Sequence, residues 1–314
     1  MNILILGGGG YVGTPLTEKL LKNKKNKITV VDTFWFGNYL KKNKHLKIIK
    51  KDIRKADKKW FKGIDCIIHL ANIANDPAVD LNPNLSWDVN VIALIKIMRF
   101  ATQNKVKKFI FASSGSIYGV KKEKKVTENL EPFPISTYNK TKMVSEKVLE
   151  SFSKHIDIYS IRPATVCGHS HRMRLDVSVN MFTYQALKYK KIKILGGNQI
   201  RPNIHIKDLI NVYEHFLKKK LKPGYYNAGF ENLKIIDIAK LVQKHIPCKM
   251  KIVKNNNDPR TYRQNSEKLL STGFKPKFKV EDAIKEIKKK FDTGDLNDGN
   301  NCYTVKWMKK LNVR

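Results

Sequence analysis

Tyr138 and Lys142, four positions apart, are the residues of this chain best suited to moving a proton. On a helix, positions i and i+4 share a face, so the Lys142 ammonium stands beside the Tyr138 phenol. A free tyrosine has a pKa of about 10, too high for an efficient base near neutrality. An adjacent cation favours the phenolate and lowers that value. In a chain so rich in lysine the pair alone is weak evidence. It gains weight from Phe111–Gly119, FASSGSIYG, which follows an apolar, strand-like run. Ser114 stands there, 24 residues before Tyr138, and can hydrogen-bond the same substrate hydroxyl.

A second constellation opens the chain. Gly7-Gly8-Gly9-Gly10-Tyr11-Val12-Gly13 follows the first apolar run and starts a helical pattern. The spacing Gly7-x-x-Gly10-x-x-Gly13 lets the backbone turn tightly, approach a pyrophosphate and pack a helix close to a sheet. The helix N-terminus, with Tyr11 and Val12 at its mouth, offers free N–H groups to phosphates. Asp32 ends the second apolar run, 19 residues after Gly13. A carboxylate there accepts the ribose hydroxyls and repels a 2′-phosphate, which favours NAD over NADP. Asp52-Ile53 ends the third run, where a side chain can hold the adenine amino group. A turn-forming aspartate is an equal reading there.

Positioning these residues requires alternating strands and helices. Expected strands are Asn2–Leu6, Ile28–Asp32, Leu46–Lys50, Asp65–Leu70, Lys108–Ser113 and Ile156–Ile161. Helical patterns cover Tyr11–Leu21, Leu85–Thr102 and Thr137–Lys154. This alternation predicts an α/β protein with a Rossmann-type doubly wound parallel sheet. After about residue 166 the alternation becomes irregular. Residues 1–165 are therefore expected to form the dinucleotide-binding domain, with a return to it around 200–218. Residues 166–314 are expected to form a smaller C-terminal α/β lobe for substrate, ending in a short helix at Val305–Leu311.

Composition narrows the function classes. The net charge is +35, yet only nine of the 62 basic residues are arginine, and the lysines are spread along the chain. A nucleic-acid face would concentrate arginine with interleaved aromatics, so the charge reads as a solvated surface and no specific nucleic-acid partner is expected. No apolar run reaches the roughly 18 residues of a membrane span, and the first residues read as a strand rather than a secretory signal. Cys66, Cys167, Cys248 and Cys302 are scattered, without a metal-ligand spacing. A cytoplasmic protein with reduced thiols and no metal site is expected.

Taken together, the segments resemble the extended short-chain dehydrogenase/reductases, the NAD-dependent nucleotide-sugar epimerase/dehydratase family, over nearly the whole chain. The matching segments are the glycine turn, His69-Leu70-Ala71, Ser-Ser-x-x-x-Tyr-Gly, Tyr-x-x-x-Lys, Arg162-Pro163, Arg201–Asp208 and Arg260-Thr261-Tyr262-Arg263. The resemblance implies Ser114, Tyr138 and Lys142 as a catalytic triad. It implies Leu70, Ala71 and Asn90 near NAD, and Ser116, Asn180, Arg201 and Tyr262 at a nucleotide-diphosphate sugar. Asn180 and Arg201 would contact the diphosphate, the latter as a bidentate cation, and Tyr262 would wall the sugar. A helix cap for Asn180 and a surface ion pair for Arg201 are the structural alternatives. A homodimer through a helix bundle containing Thr137–Lys154 is the family habit.

The resemblance also bears on the reaction. Similar 4,6-dehydratases carry Asp-Glu where this chain has Gly115-Ser116, and sugar-acid decarboxylases carry Glu at the place of Ser116. Asp32 disfavours the NADP-dependent 4-keto reductases. The expectation is an NAD-dependent 4-epimerase working through a transient 4-keto sugar, with a dehydratase or 4-keto-sugar reductase as the alternative and a non-catalytic dinucleotide binder behind both. Ala74 stands in the place of a cofactor-binding lysine of galactose epimerases, a departure within His69–Pro77.

Overall fold

The computed structural model describes residues 1–253 and 261–313. The strands are β1 (Asn2–Leu6), β2 (Lys27–Asp32), β3 (Leu46–Lys50), β4 (Cys66–His69), β5 (Lys108–Ala112), β6 (Asp157–Pro163), β7 (Thr165–Cys167), β8 (Lys191–Leu195), β9 (Ile200–His205), β10 (Gly224–Ala228), β11 (Glu231–Lys234) and β12 (Lys249–Val253). The helices are α1 (Gly13–Leu21), α2 (Asp76–Val79), α3 (Pro83–Trp87), α4 (Ala93–Gln103), α5 (Thr137–Glu150), α6 (Ser178–Tyr189), α7 (Ile206–Lys218), α8 (Ile235–His245), α9 (Glu267–Leu270), α10 (Val280–Asp292) and α11 (Thr304–Leu311).

Seven strands form one sheet in the order β10-β6-β5-β4-β1-β2-β3, every neighbouring pair parallel. Alternation along β1 explains why helices cover both faces. Ile3 and Ile5 enter one core with Leu16 and Leu20 of α1, while Leu4 and Leu6 enter another with Leu94 and Ile97 of α4. Strands buried on both faces read as continuous apolar runs, which is how β1 appears in the sequence. Burying each of these side chains contributes about 1.5–3 kcal/mol. The strand order reverses between β1 and β4, and ligands of such sheets bind in the crevice at that reversal.

The expected α/β class and doubly wound sheet are both present, with differences in detail. Helix α1 begins at Gly13, because Gly10–Val12 form the turn itself. The single helix expected at Leu85–Thr102 is three pieces: α3, a π turn over Asp88–Ile92, and α4. The widened turn carries Asn90, whose side chain bonds the Ile73 backbone (Oδ1 from N–H at 2.8 Å) and Thr141 Oγ1 at 3.0 Å. The expected helix Thr137–Lys154 stops at Glu150, where Ser151 and Ser153 donate to the carbonyls of Val148 and Glu150. Strand β9 joins β7 and β11 in a separate three-stranded sheet, whereas α7 packs on α1 and leads to β10, the edge strand of the large sheet.

Candidate active site

Outside the carboxyl ends of β1, β4, β5 and β6 lies a cavity of about 780 Å³. That volume suits a small-molecule ligand. Its floor is the glycine turn. Gly7 has φ +85°, and a Cβ there would stand 2.4 Å from Ala71 N. A Cβ on Gly13 would stand 2.2 Å from Gly7 O. A Cβ on Gly10 would meet only Gly7 O, at 3.4 Å, so this residue faces open space. Gly7, Gly10, Tyr11, Val12 and Gly13 all line the cavity at the start of α1. The cradle fits a pyrophosphate: small residues give close approach, and the start of α1 presents the positive end of its dipole.

The residues expected around adenosine, Asp32, Asp52 and Ile53, are not among those lining the cavity. Asp32 accepts the Gly9 N–H at 2.8 Å and the Phe34 N–H at 2.7 Å, one on each carboxylate oxygen. Burial raises its pKa, with these two bonds acting against the shift. Asp52 caps the turn Ile53–Lys55, accepting the Arg54 N–H at 2.8 Å and pairing with its guanidinium at 2.8 Å. Ile53 is buried in the core beneath. Leu70 lines the cavity, and both Leu70 and Ala71 donate their N–H to Leu6 O at 2.8 Å.

Helix α5 is capped by Ser136, which accepts the Asn139 N–H and donates to the Asp76 carboxylate. The cap sets the helix so that Tyr138 lines the cavity and Lys142, one turn on, lies buried beneath. The Lys142 ammonium is 6.0 Å from the Tyr138 ring centroid and donates to Ala112 O at 2.8 Å. Burial brings its pKa down to about 7, partly offset by Glu146. Ser114 and Ser116 also line the cavity, their hydroxyl oxygens 2.7 Å apart. Ser116 donates its one proton to Asn139 Oδ1 at 2.6 Å. Ser114 is therefore the donor between the two hydroxyls; it accepts the Ser116 N–H at 3.2 Å, and one lone pair remains for a ligand.

Arg201 of β9 and Tyr262 also line the cavity, and Tyr262 packs against Tyr118 with ring centroids 6.4 Å apart. The segment containing Arg260 lies outside the described residues. Asn180 and Asn90 are buried rather than lining. The Asn180 amide accepts the Gly168 N–H at 2.9 Å and donates to the Tyr11 hydroxyl at 3.0 Å and to Arg174 O at 2.9 Å. It thereby ties the glycine turn to the segment from Gly168 to Arg174. Asn90 holds the Ile73 loop against α5.

Several lining residues were not anticipated: Arg172, Arg174 and Asp176 in the loop before α6, and Thr304, Val305 and Met308 of α11. Arginine is scarce in this chain, so two at alternate positions was a readable signal. Helix α11 is held by Asp176, which accepts the Thr304 N–H, and by Trp307, whose indole donates to Trp35 O.

A doubly wound sheet with a glycine turn and a cavity at the strand reversal defines a dinucleotide-binding α/β protein. The chain belongs to the NAD-dependent epimerase/dehydratase family, whose sequence profile matches residues 3–229. It is 31% identical over 267 residues to the uncharacterized UDP-glucose epimerase YtcB of Bacillus subtilis, covering 77% of this chain and 81% of that one. It is 27% identical to the UDP-glucose 4-epimerase of Lactobacillus helveticus, covering 90% and 95%. The UDP-glucuronic acid 4-epimerase of Bacillus cereus, solved with UDP-glucuronic acid and NAD, superposes with a TM-score of 0.81 at 27% identity, covering 92% of this chain and 99% of that one.

Proposed function

We propose that this chain is an NAD-dependent epimerase that inverts C4 of a UDP-linked sugar. The observation that carries the reading is that Tyr138, Ser114 and Ser116 share one cavity with the glycine turn Gly7–Gly13. In this reading Tyr138 as phenolate takes the proton of the sugar 4-hydroxyl, and the charge of Lys142 favours that phenolate. An ammonium has three N–H donors, so Lys142 keeps its bond to Ala112 while facing Tyr138. Ser114 turns its own hydroxyl proton from Ser116 to the oxygen of the same sugar hydroxyl and so orients it. Bound NAD would supply a reversible hydride acceptor for C4, so no second substrate would be needed.

The glycine turn and the start of α1 hold the dinucleotide pyrophosphate, Leu70 and Ala71 flank it, Asp32 takes the ribose, and Asp52-Ile53 bound the adenine. Arg201 pairs with the sugar nucleotide's diphosphate, Ser116 and Tyr262 border the sugar, and Asn90 and Asn180 act through the backbones they hold. Gly115 and Ser116 leave no acid–base pair beside Ser114 for eliminating water, which favours epimerisation over dehydration. UDP as the nucleotide is supported by the bacterial relatives.

We also propose a cytoplasmic homodimer through α4 and α5, where Ile92 is 58% exposed beside Ile95 and Phe100. No helix among the described residues is long and apolar enough to cross a membrane. The deciding experiment incubates the protein and NAD with UDP-glucose, UDP-N-acetylglucosamine and UDP-glucuronic acid in deuterium oxide, with products read by NMR. The expected product is a C4 epimer without deuterium at C5. A deuterated, dehydrated or decarboxylated product refutes the reading.

A further inference from the structure

Arg172 is 4% exposed, lines the cavity, and makes no ion pair among the described residues. Its guanidinium lies 4.0 Å from the centroid of the Phe36 ring, and Nη1 donates to its neighbour's carbonyl, Met173 O, at 3.3 Å. Nε has no partner. Arg174, two positions on, is answered by Asp176 at 2.9 Å. Two acids act on Arg172 without pairing with it: Asp176, which binds Arg174 and the Thr304 N–H, and Asp32, which accepts the Gly9 and Phe34 N–H groups. A buried guanidinium without a carboxylate is costly unless an anion arrives to meet it.

Position says which anion. Phe36, four residues after Asp32, lines the cavity, and beside Arg174 and Asp176 it is Tyr11 and Cys302 whose fields reach Arg172. Gly10–Gly13 and the positive end of α1 line the same cavity. Arg201, by contrast, stands on β9, and Lys193 of β8 and Gln199 line the cavity with it. We propose that Arg172 is a clamp on the diphosphate of the bound dinucleotide, closing over it from the second lobe opposite the N-terminus of α1. The proposal rests on the cofactor reading above.

The clamp belongs to a wall stitched in place from several directions. Leu175 N–H donates to Cys302 O, Asn297 donates to His171 O, and Asp176 caps α11. With the guanidinium seated on its phosphates, the dinucleotide leaves only when this wall moves. Phe36 holds the guanidinium plane, so its fork is presented to two phosphate oxygens together.

The test is calorimetric titration of the full-length chain, stripped of nucleotide, with ADP-ribose, adenosine and UDP. Arg172→Met should weaken ADP-ribose at least roughly thirty-fold, as for truncating one partner of a desolvated charge pair. Adenosine and UDP should bind as before. Arg172→Lys should recover part of the loss, and the salt dependence of ADP-ribose binding should be shallower in the methionine variant. The ligand-free methionine variant should melt no lower than wild type, because an unanswered buried charge has been removed. A merely structural arginine would lower melting and leave the ADP-ribose to adenosine ratio unchanged, and that result overturns the clamp. So does a loss confined to UDP. If wild type itself does not bind ADP-ribose, the cofactor reading falls along with the clamp; if both proteins bind it equally, the clamp alone falls.

Discussion

Arg162 holds Glu146 by two parallel hydrogen bonds, Nε to Oε1 at 2.9 Å and Nη2 to Oε2 at 2.8 Å, with both side chains almost wholly out of water. The pair sits one helical turn beyond Lys142, and Arg162 also donates to the Tyr118 hydroxyl at 2.7 Å. Burial alone would lower the guanidinium pKa, but Glu146 and Tyr118 reverse the shift and raise it. Removing one member leaves a lone buried charge. Arg162→Met should therefore cost about 3–5 kcal/mol, measured by urea unfolding. A change below about 1 kcal/mol would mean that the pair behaves as if it were exposed.

Tyr138→Phe keeps the ring and removes the proton carrier. Turnover should vanish while NAD affinity stays within about twofold, since the lost hydroxyl belongs to the substrate step. Single-turnover assays with equilibrium titration separate the two. A variant that turns over at near wild-type rate would take Tyr138 out of the mechanism.

Asp32→Ala should weaken NAD and narrow its preference over NADP, because the carboxylate that repels a 2′-phosphate is gone. The same substitution frees the N–H groups of Gly9 and Phe34, so the turn loosens as well. Cofactor competition titrations give the ratio directly. An unchanged NAD to NADP ratio contradicts the ribose assignment.

Arg201→Ala should weaken UDP-sugar binding by about 2–5 kcal/mol without altering NAD affinity, because Arg201 stands on β9, outside the sheet that carries the glycine turn. Calorimetry with UDP reads it. Equal UDP affinity in wild type and variant would assign the guanidinium to structure.

Glu286 of α10 lies 2.8 Å from Lys207 Nζ and 3.4 Å from His205 Nε2. Burial pushes its carboxyl up, yet the two neighbours outweigh burial and hold it at about 2, below the usual 4.5. A depressed carboxyl stabilises the fold fully above its unfolded pKa, and that contribution is lost as pH falls through the folded value. Wild type should therefore lose more melting temperature between pH 4.5 and 2 than Glu286→Gln does. Parallel melting profiles for the two proteins would show that the contact carries no such linkage.

Local chemistry was legible in the sequence wherever a few adjacent residues decide it. Strands β1 and β3 occupy the same residues as the apolar runs that announced them, and Gly7–Gly13 turns where only small residues allow it. Tyr138 and Lys142 share a helix face because four positions make one turn. These features need no knowledge of distant chain.

The destination of each long polar side chain was decided by the tertiary structure alone. Asn180 commits its amide to Tyr11, 169 positions away, and Arg172 lies on Phe36, far from it in the sequence. Asn90 shapes a π turn because Ile73 and Thr141 approach it. Helix α11 walls the cavity because Trp35 and Asp176 receive it. Backbone sterics and apolar periodicity act over a few neighbouring residues, so a sequence displays them. The partner of a buried amide or guanidinium is set only when remote segments meet, and no local pattern records that meeting.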